Sequence, residues 1–366
     1  MTSQTDIALL TDHRYTASQA AANDWYFANI LRDDALLREA LADLGLSSVR
    51  VDWADPSIDW TTISCAIFRT TWDYFERITE FTAWLDRVEK QTRLCNDASL
   101  IRWNLDKHYL ADLESSGIPI VPSLFLEAKS AHMKTDHGAG SGAGSRPRCE
   151  SDSGSDSYSG PESGSGSDSR AGAGIVSGYD PAYEPGSRFD LSTLLAQTGW
   201  EDAIIKPCIS GAARHTYRIN RDSAGRIQKT LEPLFATEAF ILQPFLPDVL
   251  QNGEDTLILI DGTFTHAVTK KPKPGDFRVQ DDHGGTVHTC NPTAEQIELA
   301  ERSFAACRSD SRPLPVYGRV DMVRDQRGVW RVMELELIEP ELWLRNHPPA
   351  ARAMAQAIAR FLKKTS

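Results

Sequence analysis

The chain has 366 residues, enough for two domains or for one domain with an elaborate appendage, and ample for a sizeable buried core. Its net charge of −12, from 51 acidic against 39 basic residues, excludes the broad basic surface that would hold nucleic acid. Six cysteines (Cys65, Cys95, Cys149, Cys208, Cys290 and Cys307) are widely spaced with no C-x-x-C pair, which argues against a zinc ribbon or disulfide scaffold and fits a reducing compartment. No basic segment precedes an apolar run at the start, and no apolar stretch is long enough to cross a bilayer, so a soluble cytoplasmic protein with neither nucleic-acid nor membrane partners is expected.

In chain order, "DIALL", "VRVDW" and "CAIFRTTW" read as short apolar strands alternating with the helical patterns "DDALLREALADLG" and "FTAWLDRVEK", an order that implies βαβ units on a parallel sheet. No G-x-G-x-x-G follows any of these strands, which disfavours a dinucleotide-binding domain. Arg69, Trp72 and Asp73 come just after the third strand, where open α/β sheets bind ligands, and are candidate contacts for an acceptor substrate. The competing reading is that Trp72 and Tyr74 pack a domain interface.

Next, "RWNLDKHYLADLESSGIPIVP" predicts a helix capped by Asn104 and ended by Gly117 and Pro119, with Lys107 near its start. From 137 to 187 the composition turns to Gly, Ser and Asp, with almost nothing to bury, and predicts a disordered insertion. It interrupts a domain, because "GIPIVPSLFL" before it and "DAIIKPCISG" after it both read as strands and neither side looks complete. Lys206 lies in the second of these, just before a turn of small residues whose backbone can approach a ligand closely. "TLILIDGTFTHAV" predicts a hairpin about Asp261 and Gly262, and "ARAMAQAIARFLKK" an amphipathic closing helix. His108 and His266 are expected to face a neighbour or solvent, and Cys208 to be a small buried side chain.

The segment "VMELELIEPELW" poses a problem of charge. In a strand Glu334 and Glu336 share one face, with Met333, Leu335 and Leu337 on the other. Two carboxylates on an apolar strand resist desolvation unless a cation sits between them, although a solvated edge strand is the simpler alternative. Immediately upstream, "PVYGRVDMVRDQRGVW" places Arg319 and Asp321 on one face. An even-length turn at Arg327 and Gly328 would set Asp321 opposite Glu334 and Arg319 opposite Glu336, whereas a slip of one residue would separate them. Three carboxylates with one arginine suit Mg²⁺ shared with substrate phosphates, and phosphates need cations such as Lys107 and Lys206.

These residues in this order resemble the ATP-grasp superfamily over roughly 100–362, the insertion apart. "FRTTWDY", "WNLDKHYLADLESSGIPIVP", "KKPKPGDFRVQDDHGG" and "ELELIEPELWL" together are similar to its glutathione-synthetase and D-cycloserine-ligase end. The resemblance implies an α/β fold: an N-terminal parallel α/β domain over 1–100, then a two-lobed ATP-grasp domain over 101–366 interrupted at 137–187. It implies ATP and two Mg²⁺ ions, with Mn²⁺ as a substitute.

By the same resemblance Lys107, Lys206, Ser210 and Gly211 would hold phosphates, Gln243 would offer the adenine a carbonyl and Phe245 an amide, and Glu254 would bond the ribose. Asp321, Glu334 and Glu336 would hold the metals, with Glu336 standing where relatives more usually carry asparagine. Arg319, Arg278 and one of the lysines at 270 and 271, taken as Lys271, would act on the reacting groups. The implied reaction is a ligation in which ATP phosphorylates a small amino-acid-like carboxylate and an amine displaces phosphate from the acyl phosphate. The alternatives from other classes are a regulatory or scaffold protein that binds ATP without turnover and a phosphotransferase. Expected partners are small-molecule carboxylates and amines, with a homodimer left open.

Overall fold

The structure, a computed structural model, describes residues 5–128, 189–280 and 284–363. The insertion expected over 137–187 lies outside the described residues. The first part runs β1 (Thr5–Thr11), α1 (Trp25–Ala42), β2 (Ser48–Asp52), β3 (Ile63–Thr70), α2 (Ile78–Val88), β4 (Arg93–Cys95), α3 (Ala98–Asn104) and α4 (Tyr109–Ser115). Then come β5 (Leu124–Leu126), α5 (Leu191–Thr198), β6 (Asp202–Pro207), β7 (Tyr217–Asn220), α6 (Ala224–Leu231), β8 (Phe240–Pro244) and α7 (Asp248–Gln251). The chain closes with β9 (Glu254–Ile260), β10 (Thr263–Lys271), β11 (Thr286–Cys290), α8 (Ala294–Ala305), β12 (Tyr317–Arg324), β13 (Trp330–Glu336) and α9 (Pro349–Lys363).

Strands β1 to β4 form the expected parallel sheet, in the order β2-β1-β3-β4. Its two central strands are apolar without alternation because both faces are covered. Ile7, Leu9, Cys65 and Ile67 pack toward Leu37 and Leu41 of α1 and Met354 and Ile358 of α9. Ala8, Leu10, Ala66 and Phe68 meet Trp53 and the Phe81, Trp84 and Leu85 face of α2. Ile258, Ile260 and Tyr317 from the later strands belong to the same core as Ile7 and Leu9.

The rest of the chain builds two antiparallel sheets, β5-β8-β6-β7 and β11-β10-β9-β12-β13. Helices α5 and α6 cover the first through Leu191, Leu195, Ile227 and Leu231. Helix α8 covers the second through Leu299, Ala300 and Phe304, opened by a capping box between Thr293 and Gln296. The β9–β10 hairpin turns at Asp261 and Gly262, both at positive φ (52° and 80°), as a type I′ turn requires.

Two local expectations need correction. Asn104 does not cap a helix: it ends α3, and its side chain donates to the Leu335 carbonyl (2.9 Å) and accepts from the Leu337 N–H (2.8 Å). Its amide offers both donor and acceptor, so it serves as well across a strand as at a helix end. The β12–β13 turn is also not even-length. Arg324 pairs with Trp330 around a five-residue loop, and a bulge at Met333 supplies the missing residue, so that Asp321 still faces Glu334 and Arg319 faces Glu336. Asp325 shapes that loop by accepting from the Arg327 and Val329 amides (both 2.9 Å), with Gly328 at φ 77°.

His266 on β10 is buried, with Nε2 donating to the Leu342 carbonyl at 2.9 Å. Burial pushes its pKa down to about 4 against 6.5 for a free histidine. The unfolded chain therefore binds the extra proton between those values, and stability should fall as pH drops from 6.5 toward 4. The share of this group between pH 7 and pH 5 is at most about 2 kcal/mol. Melting temperatures of wild type and His266→Gln across that range should show a shallower slope in the variant; equal slopes would remove the assignment.

Candidate active site

A cleft of about 410 Å³ opens between the two antiparallel sheets, a volume in the usual range for a small-molecule site. It brings together Lys107, Lys206, Ser210, Gly211, Gln243, Phe245, Glu254, Arg278, Arg319, Asp321, Glu334 and Glu336. Lys107 sits between α3 and α4, where its N–H donates to the Cys208 carbonyl (3.0 Å), while the Cys208 N–H donates to Ala239 (2.8 Å). This fastens the Lys107 segment to the end of β6, the strand that carries Lys206. The Lys107 ammonium donates to the Ser210 carbonyl at 2.7 Å and lies 3.1 Å from Glu334, while Lys206 is 3.9 Å from the other oxygen of the same carboxylate.

On β12, Arg319 grips Asp321 through two nitrogens (3.0 and 2.9 Å) and reaches Glu336 at 2.5 Å. Thr256 on β9 donates to Asp321 (2.7 Å), and Lys270 on β10 contacts both Asp321 (3.1 Å) and Glu254. Trp343 closes the floor, its ring 5.3 Å from the Arg319 guanidinium. Burial opposes the charge of Lys107, but Glu334 outweighs it and holds the ammonium above its ordinary value. Lys206, with Glu334 farther away, is pushed down by burial. Burial would raise Asp321, yet Arg319 and Lys270 hold it well below the carboxylate range. Glu254 and Glu336 each share a cation with Asp321 and are the weaker acids, pushed up by burial to about 7.

The network balances: four cations (Lys107, Lys206, Lys270 and Arg319) face four carboxylates (Glu254, Asp321, Glu334 and Glu336). Phosphates entering this cleft would compete with Glu334 for the two lysines, and a divalent ion would restore balance by taking the released carboxylate. Among the described residues, the single set of three potential ligand side chains within 4.8 Å of one another is Asp106, His108 and Cys208. There His108 is already held between Asp106 (2.5 Å) and Glu127 (3.0 Å). Asp321, Glu334 and Glu336 thus share a face without forming a closed cage. That fits Mg²⁺, which commonly takes one or two carboxylates and completes its shell with phosphate oxygens and water.

The opposite end of the cleft is apolar, where Val121, Phe245, Leu246, Val249, Val279 and Met333 cluster. Met333 was expected on the far face with Leu335; the bulge turns it into the cleft. The Phe245 amide donates to the Asp202 carbonyl (2.9 Å), so it is not the open donor expected beside Gln243; among the described residues the Leu246 N–H makes no backbone hydrogen bond. Gly211 must be small, because an added Cβ would come within 2.6 Å of the Phe75 ring.

Lys271 is a further correction. It is exposed and outside the cleft, while Lys270, directly across from Glu254, is buried and reaches Asp321. Strand alternation allows only one of two adjacent lysines onto the acidic face. Of the proposed acceptor contacts, Trp72 lines the cleft, whereas buried Arg69 is bonded to Asp34 (3.0 Å) and Asp73 to Trp53 (2.7 Å). Sequence reasoning missed Arg14, Tyr15, Tyr26 and Glu339 as cleft residues. Arg14 and Tyr15 follow β1, so the rule that placed ligands after β3 would have found them if applied to β1 as well.

This arrangement is that of an ATP-dependent ligase with the ATP-grasp fold, a fold that uses ATP with a divalent metal. Residues 188–311 match the family model described as prokaryotic glutathione synthetase, ATP-grasp domain, and residues 7–96 that of D-cycloserine synthetase DcsG, N-terminal domain. The cycloserine biosynthesis protein DcsG of Streptomyces lavendulae is 29% identical over 340 residues, covering 89% of this chain and 93% of that protein. The crystal structure of D-cycloserine synthetase DcsG superposes with a TM-score of 0.70 at 27% identity, covering 98% of this chain and 99% of that one. D-alanine–D-alanine ligase from Bacillus anthracis shares the fold at 12% identity, with a TM-score of 0.55 over 98% of this chain and 97% of that one. No helix among the described residues is long and apolar enough to cross a membrane.

Proposed function

We propose that this cleft joins a small amino-acid-like carboxylate to an amine through an acyl phosphate. The observation that carries the reading is the charge-balanced network in which Lys107 and Lys206 converge on Glu334. The names of the relatives, a cycloserine biosynthesis protein and a D-alanine–D-alanine ligase, support amino-acid-like substrates. In this reading Lys107, Lys206 and the Ser210–Gly211 backbone hold the nucleotide phosphates. The apolar cluster about Met333 takes the base beside the Gln243 carbonyl and the Leu246 amide, and Glu254 faces the ribose.

Asp321, Glu334 and Glu336 are the proposed ligands for Mg²⁺, two ions or their Mn²⁺ equivalents, which when bound neutralise charge on the phosphate oxygens. Lys270 and Arg319 orient that carboxylate set, and Arg319 and Arg278 stabilise the oxygen charge that develops as the substrate carboxylate is phosphorylated and the amine then attacks its carbon. ADP leaves in the first step and phosphate in the second, carrying one carboxylate oxygen with it. We assign substrate contacts at the N-terminal end to residues 1–100 and nucleotide handling to 101–366.

Incubation with ATP, Mg²⁺ and paired carboxylates and amines should release phosphate and give a product lighter by one water than its two inputs, read by mass spectrometry. Tight ATP binding with no phosphate release across the panel would overturn the reading in favour of a non-catalytic nucleotide-binding protein. Phosphate transfer without such a product would point to a phosphotransferase instead.

A further inference from the structure

A second group of ligand-type side chains sits beside the two lysines that face the cleft. Lys107 and Lys206 line that cleft, but their neighbours Asp106, His108 and Cys208 do not. These three instead bring one ligand atom each within 4.8 Å of one another. They come from two segments: Asp106 and His108 flank Lys107 between α3 and α4, and Cys208 follows the last residue of β6. Leu100 and Leu110, on the helices about the first segment, pack on Leu257, Val320 and Leu335 of one antiparallel sheet, whereas β6 belongs to the other.

Carboxylates bracket the His108 ring, with Asp106 2.5 Å from Nδ1 and Glu127, just past β5, 3.0 Å from Nε2. Metal-bound imidazoles are commonly built so: one nitrogen ligates while a carboxylate on the other fixes the ring. Stacking on Phe125, with ring centroids 4.4 Å apart, holds its plane as well. Cys208 supplies an independent observation. Its thiol is 1% exposed and among the described residues makes no hydrogen bond, whereas buried Cys65 and Cys307 each donate to a carbonyl. The His108 and Asp106 side chains keep 36% and 38% exposure, which gives an ion a way in from solvent. Sulfur, imidazole nitrogen and carboxylate oxygen together suit a borderline ion such as Zn²⁺ rather than Mg²⁺, which takes oxygen.

We propose that Asp106, His108 and Cys208 form a site for Zn²⁺ or a similar borderline divalent ion, separate from the cleft, which ties the two antiparallel sheets together beside Lys107 and Lys206. Glu127 orients the imidazole. The ion binds thiolate and neutral imidazole, so the Cys208 thiol proton and the proton His108 shares with the carboxylates leave for solvent. The tie reinforces the bond from the Lys107 N–H to the Cys208 carbonyl, at 3.0 Å the backbone link between the same segments. Nothing in this proposal depends on the ligase reading.

The test uses the full chain, freed of metal, saturated with Mg·ADP to fill the cleft, and titrated with Co²⁺ as the coloured substitute for Zn²⁺. One equivalent should bind with a sulfur-to-cobalt charge-transfer band, and Zn²⁺ should bleach it. Cys208→Ala should abolish the band. His108→Gln should weaken Co²⁺ binding by at least about tenfold, since even the outer partners of a metal ligand carry that much. Saturating Zn²⁺ should raise the wild-type melting temperature by about 4 °C or more and leave His108→Gln nearly unmoved. A wild type without the band, or a band that survives Cys208→Ala, overturns the proposal. So does a Zn²⁺ shift of equal size in His108→Gln. Because His108 lies at the surface, its variant decides where Cys208→Ala does not fold.

Discussion

Glu334→Gln is expected to lower ATP turnover by about 10³-fold or more while the protein stays folded. Glu334 is the carboxylate between Lys107 and Lys206, and its side chain keeps 26% exposure. Glutamine there brings no negative charge to a divalent cation, yet the polar contact to Lys107 survives in part, and phosphates replace the lost charge once nucleotide enters. ADP affinity measured without metal should therefore hold or improve while phosphate release collapses. Asp321→Asn should lose turnover as well, with lowered stability, because Asp321 is buried under Arg319, Lys270 and Thr256. Wild-type phosphate release at ordinary Mg²⁺ in either variant would remove these residues from the metal site.

The second large effect concerns Arg319. It is 9% exposed and engages Asp321 and Glu336 at once, so truncation leaves half-buried Glu336 without its cation and buried Asp321 with Lys270 alone. Breaking a buried pair in this way costs about 3–5 kcal/mol, and Arg319→Ala should melt well below wild type. In the surviving folded protein kcat should also fall by roughly 10², the size typical of one lost transition-state donor. Arg319→Lys separates the roles: a point charge restores much of the stability but not the forked geometry. Melting temperature recovered without kcat marks a group that acts on the reacting atoms; an Arg319→Ala protein that turns over normally once folded marks a structural one.

The parts of this site carried by side-chain periodicity were legible in the sequence. Alternation put Asp321 and Arg319 on one face and Glu334 and Glu336 on the facing one, and the structure pairs them so. The parallel order of the first sheet followed from apolar strands separated by helices. What escaped depends on tertiary contacts that local pattern does not encode. Lys270 and Lys271 are equivalent until the pairing of β10 with β9 selects a face. Asn104 has the chemistry of a helix cap and spends it on β13. The Phe245 amide is lost to Asp202 because β6 runs alongside the linker, a pairing across 43 residues. Glu339 lay within the very segment that drew attention to the acidic strand, but only the position of Trp72 gives it a place in the cleft.

The bulge at Met333 carries an evolutionary consequence. A regular hairpin with one more residue in its turn and no bulge would present Asp321, Arg319, Glu334 and Glu336 in the same pairing. Insertion in the loop and deletion at the bulge are therefore compensating changes: either alone rotates the acidic strand away from its partners, and both together are silent at the charged end. In homologous chains the two lengths should covary, and an alignment that scores the loop and the strand independently would misplace Glu334 and Glu336, the proposed metal ligands, by one position.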